Sequence, residues 1–161
     1  MQEGRCRFLE TVTEAAYATY MDIVIFHNPD CGTSRNVLKI IRDAGYDPEV
    51  VHYLDEGWTR GQLLALLAAA GLTPRTALRT SKSPAEELGL LDESLSDNVL
   101  LAAMLEHPVL VNRPIVACAQ GVRLCRPSDA VLDLLPNWPA GPYEKEDGAM
   151  MIDADGNRVS S

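Results

Sequence analysis

Cys31 sits where a cysteine becomes chemically active. The run Phe26-His27-Asn28-Pro29-Asp30-Cys31-Gly32-Thr33-Ser34-Arg35-Asn36 follows an apolar, β-branched segment, Ile23-Val24-Ile25. That segment reads as a short buried strand. Asn28-Pro29-Asp30 then enforces a turn. Val37, Leu38, Ile40, Ile41 and Ala44 follow at helical spacing, and Gly45 supplies the stop. Cys31 therefore lies at a helix N-terminus, where free N–H groups and the positive end of the helix dipole favour an anion. The thiolate is that anion, so the thiol pKa is expected to fall from about 8.5. The first N–H groups, around Gly32 and Thr33, could also hold an incoming oxyanion. The alternative, Cys31 as a small buried hydrophobe, fits poorly with so polar a turn.

Arginine is the natural partner for a bound oxyanion, because its donor fork matches tetrahedral oxygens and its charge does not titrate. The chain is acidic, with a formal net charge of −9, yet two stretches are cleared of carboxylates. Between Glu56 and Glu86 lie Arg60, Arg75, Arg79 and Lys82, and between Glu106 and Asp129 lie Arg113, Arg123 and Arg126. Arg113 and Arg126 each stand beside a proline at a strand end or helix entrance, the rim where sites form in open α/β folds. Arg60, Arg75 and Arg123 read as solvated surface residues. A cysteine phosphatase would need an arginine at the position of Val37, so phosphate monoester hydrolysis is disfavoured while oxyanion binding is not.

The elements that must position these groups follow the same pattern. Glu49 to Tyr53 alternates and reads as a second strand, completing a right-handed βαβ unit. Thr59 caps a helix that ends near Gly71, Pro74 and Pro84 open short helical turns, and Ser96 or Asp97 caps a helix from Val99 to Leu105. Val109-Leu110-Val111 is a third strand candidate. Ile115–Cys118 and Val122–Leu124 flank a hairpin signal, and Pro127-Ser128 opens a last helix through Leu135. This order, β-α-β, helices, β-β-α, is the plan of a thioredoxin-like domain: an α/β fold with a mixed sheet and an inserted helical layer. Residues 1–20 read as an N-terminal extension, with Met21 an alternative start, residues 21–136 as the domain, and residues 137–161 as an acidic Pro/Gly-containing tail with a possible small hairpin at Asp155-Gly156.

Composition narrows the partners. The acidic balance argues against nucleic acid and anionic membranes, and no run approaches a transmembrane length. Cys6, Cys31, Cys118 and Cys125 show no C-x-x-C spacing, so neither a zinc site nor a dithiol motif is indicated. Without a secretion signal the thiols are expected to be reduced, in a cytoplasm.

Several segments together resemble the glutaredoxin-linked arsenate reductases. These are His27 to Asn36, Leu78-Arg79, Glu86-Glu87-Leu88-Gly89-Leu90, Val111-Asn112-Arg113-Pro114-Ile115-Val116 and Leu124-Cys125-Arg126-Pro127-Ser128, in the right order from about Asp22 to Leu135. The resemblance implies a catalytic Cys31, an oxyanion site of Arg79, Arg113 and Arg126, and His27 and Ser34 as residues that tune the thiolate. It implies arsenate as substrate, glutathione as co-substrate, glutaredoxin as partner protein, and no bound cofactor or metal. It also implies a cis peptide bond before Pro114. Ser34 occupies the position of a resolving thiol, so reducing equivalents must come from outside. Cys118 and Cys125 are possible internal resolvers, but Cys118 reads as a packing residue and Cys125 as incidental. The departures from the family pattern are the residues before Met21 and the cysteine at 118. Two other readings of the fold are a non-enzymatic redox-responsive regulator, which often carries C-x-x-C, and a reductase-like enzyme for another oxyanion or a glutathione conjugate.

Overall fold

A computed structural model describes residues 22–159. The extension, Met21 and Cys6 lie outside the described residues.

Strand β1 (Val24–Phe26) is the centre of the molecule. It pairs in parallel with β2 (Glu49–Val51), matching Ile25 to Val50, and antiparallel with β3 (Ile115–Cys118), matching Ile25 to Val116. β3 turns back into β4 (Gly121–Leu124), giving the order β2-β1-β3-β4. Helix α1 (Gly32–Asp43) connects β1 to β2 as the parallel crossover. Gly121, with φ of 137°, allows the tight β3–β4 turn.

The period of two along the strands divides the core between the two sheet faces. Ile25 and Val116 face the first layer, where Val37, Ile40 and Ile41 of α1 are fully buried. Phe26 and Ile115 face the second layer, where they meet Leu63, Leu67, Leu100, Leu101, Met104 and Leu110. Full burial of each large aliphatic side chain is worth about 1.5–3 kcal/mol. The second layer is the inserted helical part: α2 (Tyr53–Glu56), α3 (Arg60–Ala69), α4 (Pro74–Ala77) and α5 (Asp97–Glu106). Thr59 and Ser96 cap α3 and α5 by accepting from the N–H groups of Gln62 and Val99, and Thr73 forms a reciprocal box with Thr76 at α4.

Three local expectations change. The second strand ends at Val51, and Tyr53 begins α2 with its side chain buried against Trp58. Val109-Leu110-Val111 is not a strand: Pro108–Leu110 is a 3-10 turn, because proline after His107 favours a helical start, and only Val111 bridges, to Leu78. The segment from Pro84 does open a single helical turn, closed by the Leu88 N–H on the Pro84 carbonyl at 3.0 Å. The last helical segment, Ser128–Leu134, is 3-10.

Beyond Pro136 the chain folds back on the domain. β5 (Tyr143–Glu144) pairs with β6 (Met150–Ile152), and Ile152 bridges Arg158 across the Asp155-Gly156 turn. Met151 and Ile152 are fully buried beside Val37 and Val131.

Candidate active site

Cys31 takes the N-cap position of α1 with extended backbone, and the N–H of Arg35 closes the first helical turn onto its carbonyl at 2.9 Å. The preceding turn is fixed from within. The Asp30 N–H donates to Asn28 Oδ1 (2.9 Å), and the Cys31 N–H to the Asn28 carbonyl (3.1 Å). Ser34, wholly buried, accepts from the Asn28 N–H (3.1 Å) and shares a 2.7 Å hydrogen bond with His27 Nδ1. Ser34 reaches the thiolate through its backbone: the Ser34 N–H lowers the thiol pKa, while its hydroxyl ties the turn to His27.

His27 is buried at the end of β1, and its ring meets His52 edge-on, with centroids 5.9 Å apart. Burial, then the charges of His52, Arg42 and Arg35, lowers its pKa, so it is neutral at physiological pH. Its tie to the cysteine loop runs through Ser34.

The loop before β3 and the loop after β4 bring two distant arginines to Cys31. Asn112 and Arg113 lie just before β3, Arg126 just after β4, and Cys125 N–H bonds to the Pro114 carbonyl at 2.9 Å, closing the pair together. The Arg113–Pro114 bond is cis, as is Arg126–Pro127. Arg126 Nη1 lies 3.6 Å from Cys31 Sγ and donates to the Arg113 carbonyl at 3.2 Å. Arg113 holds Asn112 Oδ1 through its own N–H (3.2 Å) and Nη1 (3.4 Å), leaving a buried Nε without a partner among the described residues.

Arg79 enters from the helical layer. Its N–H bonds to the Leu110 carbonyl (2.8 Å), its Nε to the Ser81 carbonyl (3.0 Å), and Asn112 N–H returns to the Ala77 carbonyl (2.8 Å). Its guanidinium is buried; desolvation, then Arg113, lowers its pKa, with Tyr53 and Cys31 acting in the opposite sense. The three arginines and the thiol thus share one electrostatic field. Burial raises the Cys31 pKa, but the Ser34 N–H, Arg113 and Arg126 outweigh it, and the net shift is downward.

Gly32 and Thr33 line a groove with Asn36, Pro127, Ser128, Lys145, Glu146 and Asp147. Glu146 pairs with Arg35 at 2.5 Å, and Arg35 Nη1 donates to the Pro29 carbonyl at 2.8 Å. The C-terminal segment therefore touches the residue that braces the cysteine turn, a contact with no signal in the sequence. Arg75, expected to be solvated, instead donates to the carbonyls of Leu90, Asp92 and Leu95 and braces the insert. Arg123 pairs with Asp133 at the surface.

The other described cysteines are not suited to chemistry. Cys125 is fully buried, and desolvation pushes its pKa up to about 12. Cys118 is half-buried, its sulfur facing the Leu134 carbonyl at 3.8 Å. All three described cysteines are free thiols. Among the described residues no group of three or more His, Cys, Asp or Glu could hold a metal ion, and no helix is long and apolar enough to cross a membrane.

A cysteine at a helix N-terminus, with the Arg126 guanidinium 3.6 Å from its sulfur, lies in a segment matched by a family model, ArsC, over residues 26–134. The chain belongs to the ArsC family. A Synechocystis sp. arsenate reductase is 66% identical over 137 residues, spanning 85% of this chain and 98% of that protein. An Escherichia coli K12 arsenate reductase is 47% identical over 138 residues, spanning 86% and 98%. The solved structure of an arsenate reductase from Vibrio cholerae superposes with a TM-score of 0.68 at 40% identity, covering 71% of this chain and 98% of that one. The ArsC match covers every residue of the cysteine turn from Phe26 and both arginine loops. The thioredoxin-like expectation for the fold agrees with these neighbours.

Proposed function

We propose that this ArsC-family chain reduces arsenate to arsenite, with Cys31 as nucleophile. The observation that carries the reading is the Arg126 guanidinium 3.6 Å from a Cys31 sulfur that caps α1, with Arg113 acting on the same thiol. Relatives named arsenate reductase, matching over 85% of the chain or more, support it.

The Cys31 thiolate attacks arsenic, forming an S–As bond. An arsenate hydroxyl leaves with a proton as water, while Arg126, Arg113 and Arg79 balance the negative charge on the remaining oxygens. Gly32 and Thr33 offer N–H groups at the helix start to the same oxyanion. His27 and Ser34 hold the turn that presents the sulfur. Arsenic is still pentavalent at this stage. Glutathione thiolate displaces a second oxygen, giving a cysteine–arsenic–glutathione adduct. A glutaredoxin thiolate then attacks the glutathione sulfur. The sulfur–arsenic electron pair stays on arsenic, which becomes trivalent, and a glutaredoxin–glutathione disulfide forms. Water releases arsenite and restores Cys31. With no second thiol at Ser34 and Cys125 buried with a raised pKa, the two electrons that reduce the arsenic on Cys31 must come from outside thiols. That demand for reduced glutathione suits the cytoplasm. The catalytic unit is assigned to residues 21–136, and no cofactor is required.

The test is a coupled assay following NADPH loss with arsenate, glutathione, glutaredoxin and glutathione reductase. The wild-type chain is expected to turn over, Cys31→Ser to lose all activity, and Cys118→Ala and Cys125→Ser to keep most of it. Loss in either of the last two, with folding intact, would replace the glutathione route by an internal disulfide relay. Turnover of another oxyanion such as selenate in place of arsenate would move the substrate.

A further inference from the structure

Tyr53 feels the charge of Cys31, and no step above uses it. It follows β2 at the same sheet end at which Cys31 follows β1, and the two strand ends are tied by a 2.9 Å bond from His27 N–H to the Val51 carbonyl. This is the end of the sheet beyond the carboxyl termini of parallel strands, where ligands collect in α/β folds. The Tyr53 ring is held from behind. It stacks on Trp58 at 5.2 Å, and Trp58 packs on Phe26 at 5.1 Å. The side chain is 1% exposed, yet its hydroxyl has no hydrogen-bond partner among the described residues. A buried hydroxyl left unpaired costs about 1–3 kcal/mol, and such a group calls for an explanation.

The groups around the hydroxyl supply one. Asn28, on the cysteine turn, lies against it, and the charges that act on it are those of Arg113, Arg79 and Cys31. Arg113 Nε is a second buried donor without a partner among the described residues. Two unpartnered donors, with a thiolate and the Arg113 and Arg79 guanidinium groups acting on the hydroxyl, call for an oxygen acceptor.

We propose that the Tyr53 hydroxyl donates a hydrogen bond to an oxygen of the oxyanion held at Cys31, alongside Arg113 Nε. This rests on the oxyanion reading of the site given above. Burial raises the Tyr53 pKa against the pull of both arginines, so the phenol keeps its proton and remains a donor throughout the physiological range. The proton is not transferred. The hydrogen bond restrains one oxygen of arsenate while the Cys31 sulfur approaches arsenic and a hydroxyl leaves as water. A neutral donor there adds orientation without adding positive charge to an already cationic pocket.

Tyr53→Phe keeps the stacked ring and removes only the hydroxyl. With arsenate as the varied substrate, kcat/KM is expected to fall roughly tenfold or more, the scale of a hydrogen bond to a charged oxygen. The melting temperature is expected to stay level or rise, because an unpaired buried polar group has been removed. In a second measurement, arsenate protects Cys31 from iodoacetamide, and the concentration for half-protection is expected to rise by a similar factor in Tyr53→Phe. Activity and protection within twofold of wild type would overturn the proposal. So would a melting temperature several degrees lower, which would assign the hydroxyl to the fold. A wild-type chain that fails to reduce arsenate would sink the activity reading alone, because the protection measurement still reports on arsenate as a bound anion.

Discussion

Cys31 is buried, and burial alone would make it inert, as it makes Cys125. The difference between the two sulfurs is what faces them. Cys125 meets only the Arg123 carbonyl at 3.7 Å, whereas Cys31 meets Arg126, Arg113 and the Ser34 N–H. The thiolate is favoured in the folded state, so its stabilisation is full above the unfolded thiol pKa and is lost as pH falls through the lower folded value. Alkylation of Cys31 by iodoacetamide should therefore have its pH midpoint below the ordinary value of about 8.5. In Arg126→Met the midpoint should move upward. Mass mapping identifies the labelled cysteine, and preferential labelling of Cys125 at neutral pH would contradict the assignment. At this scale the sequence was a good guide. Cys31 was legible from its place after a turn and before a helix, and Arg113 and Arg126 from prolines beside them. Arg79 carried no local signal of its own and came only from the family resemblance. Tyr53 was missed because it alternates with Val51 and so looked like one more strand residue.

The cysteine turn is positioned by an element boundary rather than by a helix or a strand. β1 ends at Phe26 and α1 begins at Gly32, and Ser34 reaches back across that gap to both His27 and Asn28. Replacing Ser34 with Ala leaves the Asn28 N–H and a buried histidine nitrogen without their partner. The expected loss of stability is about 1–3 kcal/mol, read from the midpoint of urea unfolding at constant slope. An unchanged midpoint would mean that water replaces the hydroxyl and that the turn holds itself. Boundaries were also where sequence reading failed. Val109-Leu110-Val111 has the β-branched composition of a strand, yet the Pro108 ring fixes a helical φ and the segment closes a 3-10 turn. The long elements were secure because their apolar periodicity is repeated over several turns, and their caps, Thr59 and Ser96, are local chemistry. Short segments are decided by tertiary contacts, which composition does not encode.

Across the whole molecule, the segment after Pro136 joins the domain to its own active-site helix. The β5–β6 hairpin inserts Met151 and Ile152 into the layer under α1. Glu146 meets Arg35 and donates its N–H to Asn36 Oδ1 at 2.9 Å, and Tyr143 donates to Asp43 at 2.8 Å. These contacts were illegible in an acidic Pro/Gly-rich stretch because each joins residues about a hundred positions apart. The exposed Arg35–Glu146 pair adds little energy. Arg158 is different. Its Nε and Nη2 both donate to Asp129 Oδ2, at 3.0 and 2.9 Å, and its Nη1 to Asp133 Oδ1 at 2.8 Å. Asp129 is only 5% exposed, and its other oxygen has no partner among the described residues. Removing the guanidinium leaves a carboxylate buried without its countercharge, which costs more than the pair contributes. Arg158→Met keeps the aliphatic stem and should lower stability by about 2 kcal/mol, discounted from a fully buried pair because Arg158 remains partly solvated. Adding Asp129→Asn removes the stranded charge and should recover much of that loss, so the double variant should be more stable than Arg158→Met alone. Urea unfolding of the four chains in this cycle measures the coupling. Additive losses would show that Arg158 and Asp129 are not coupled.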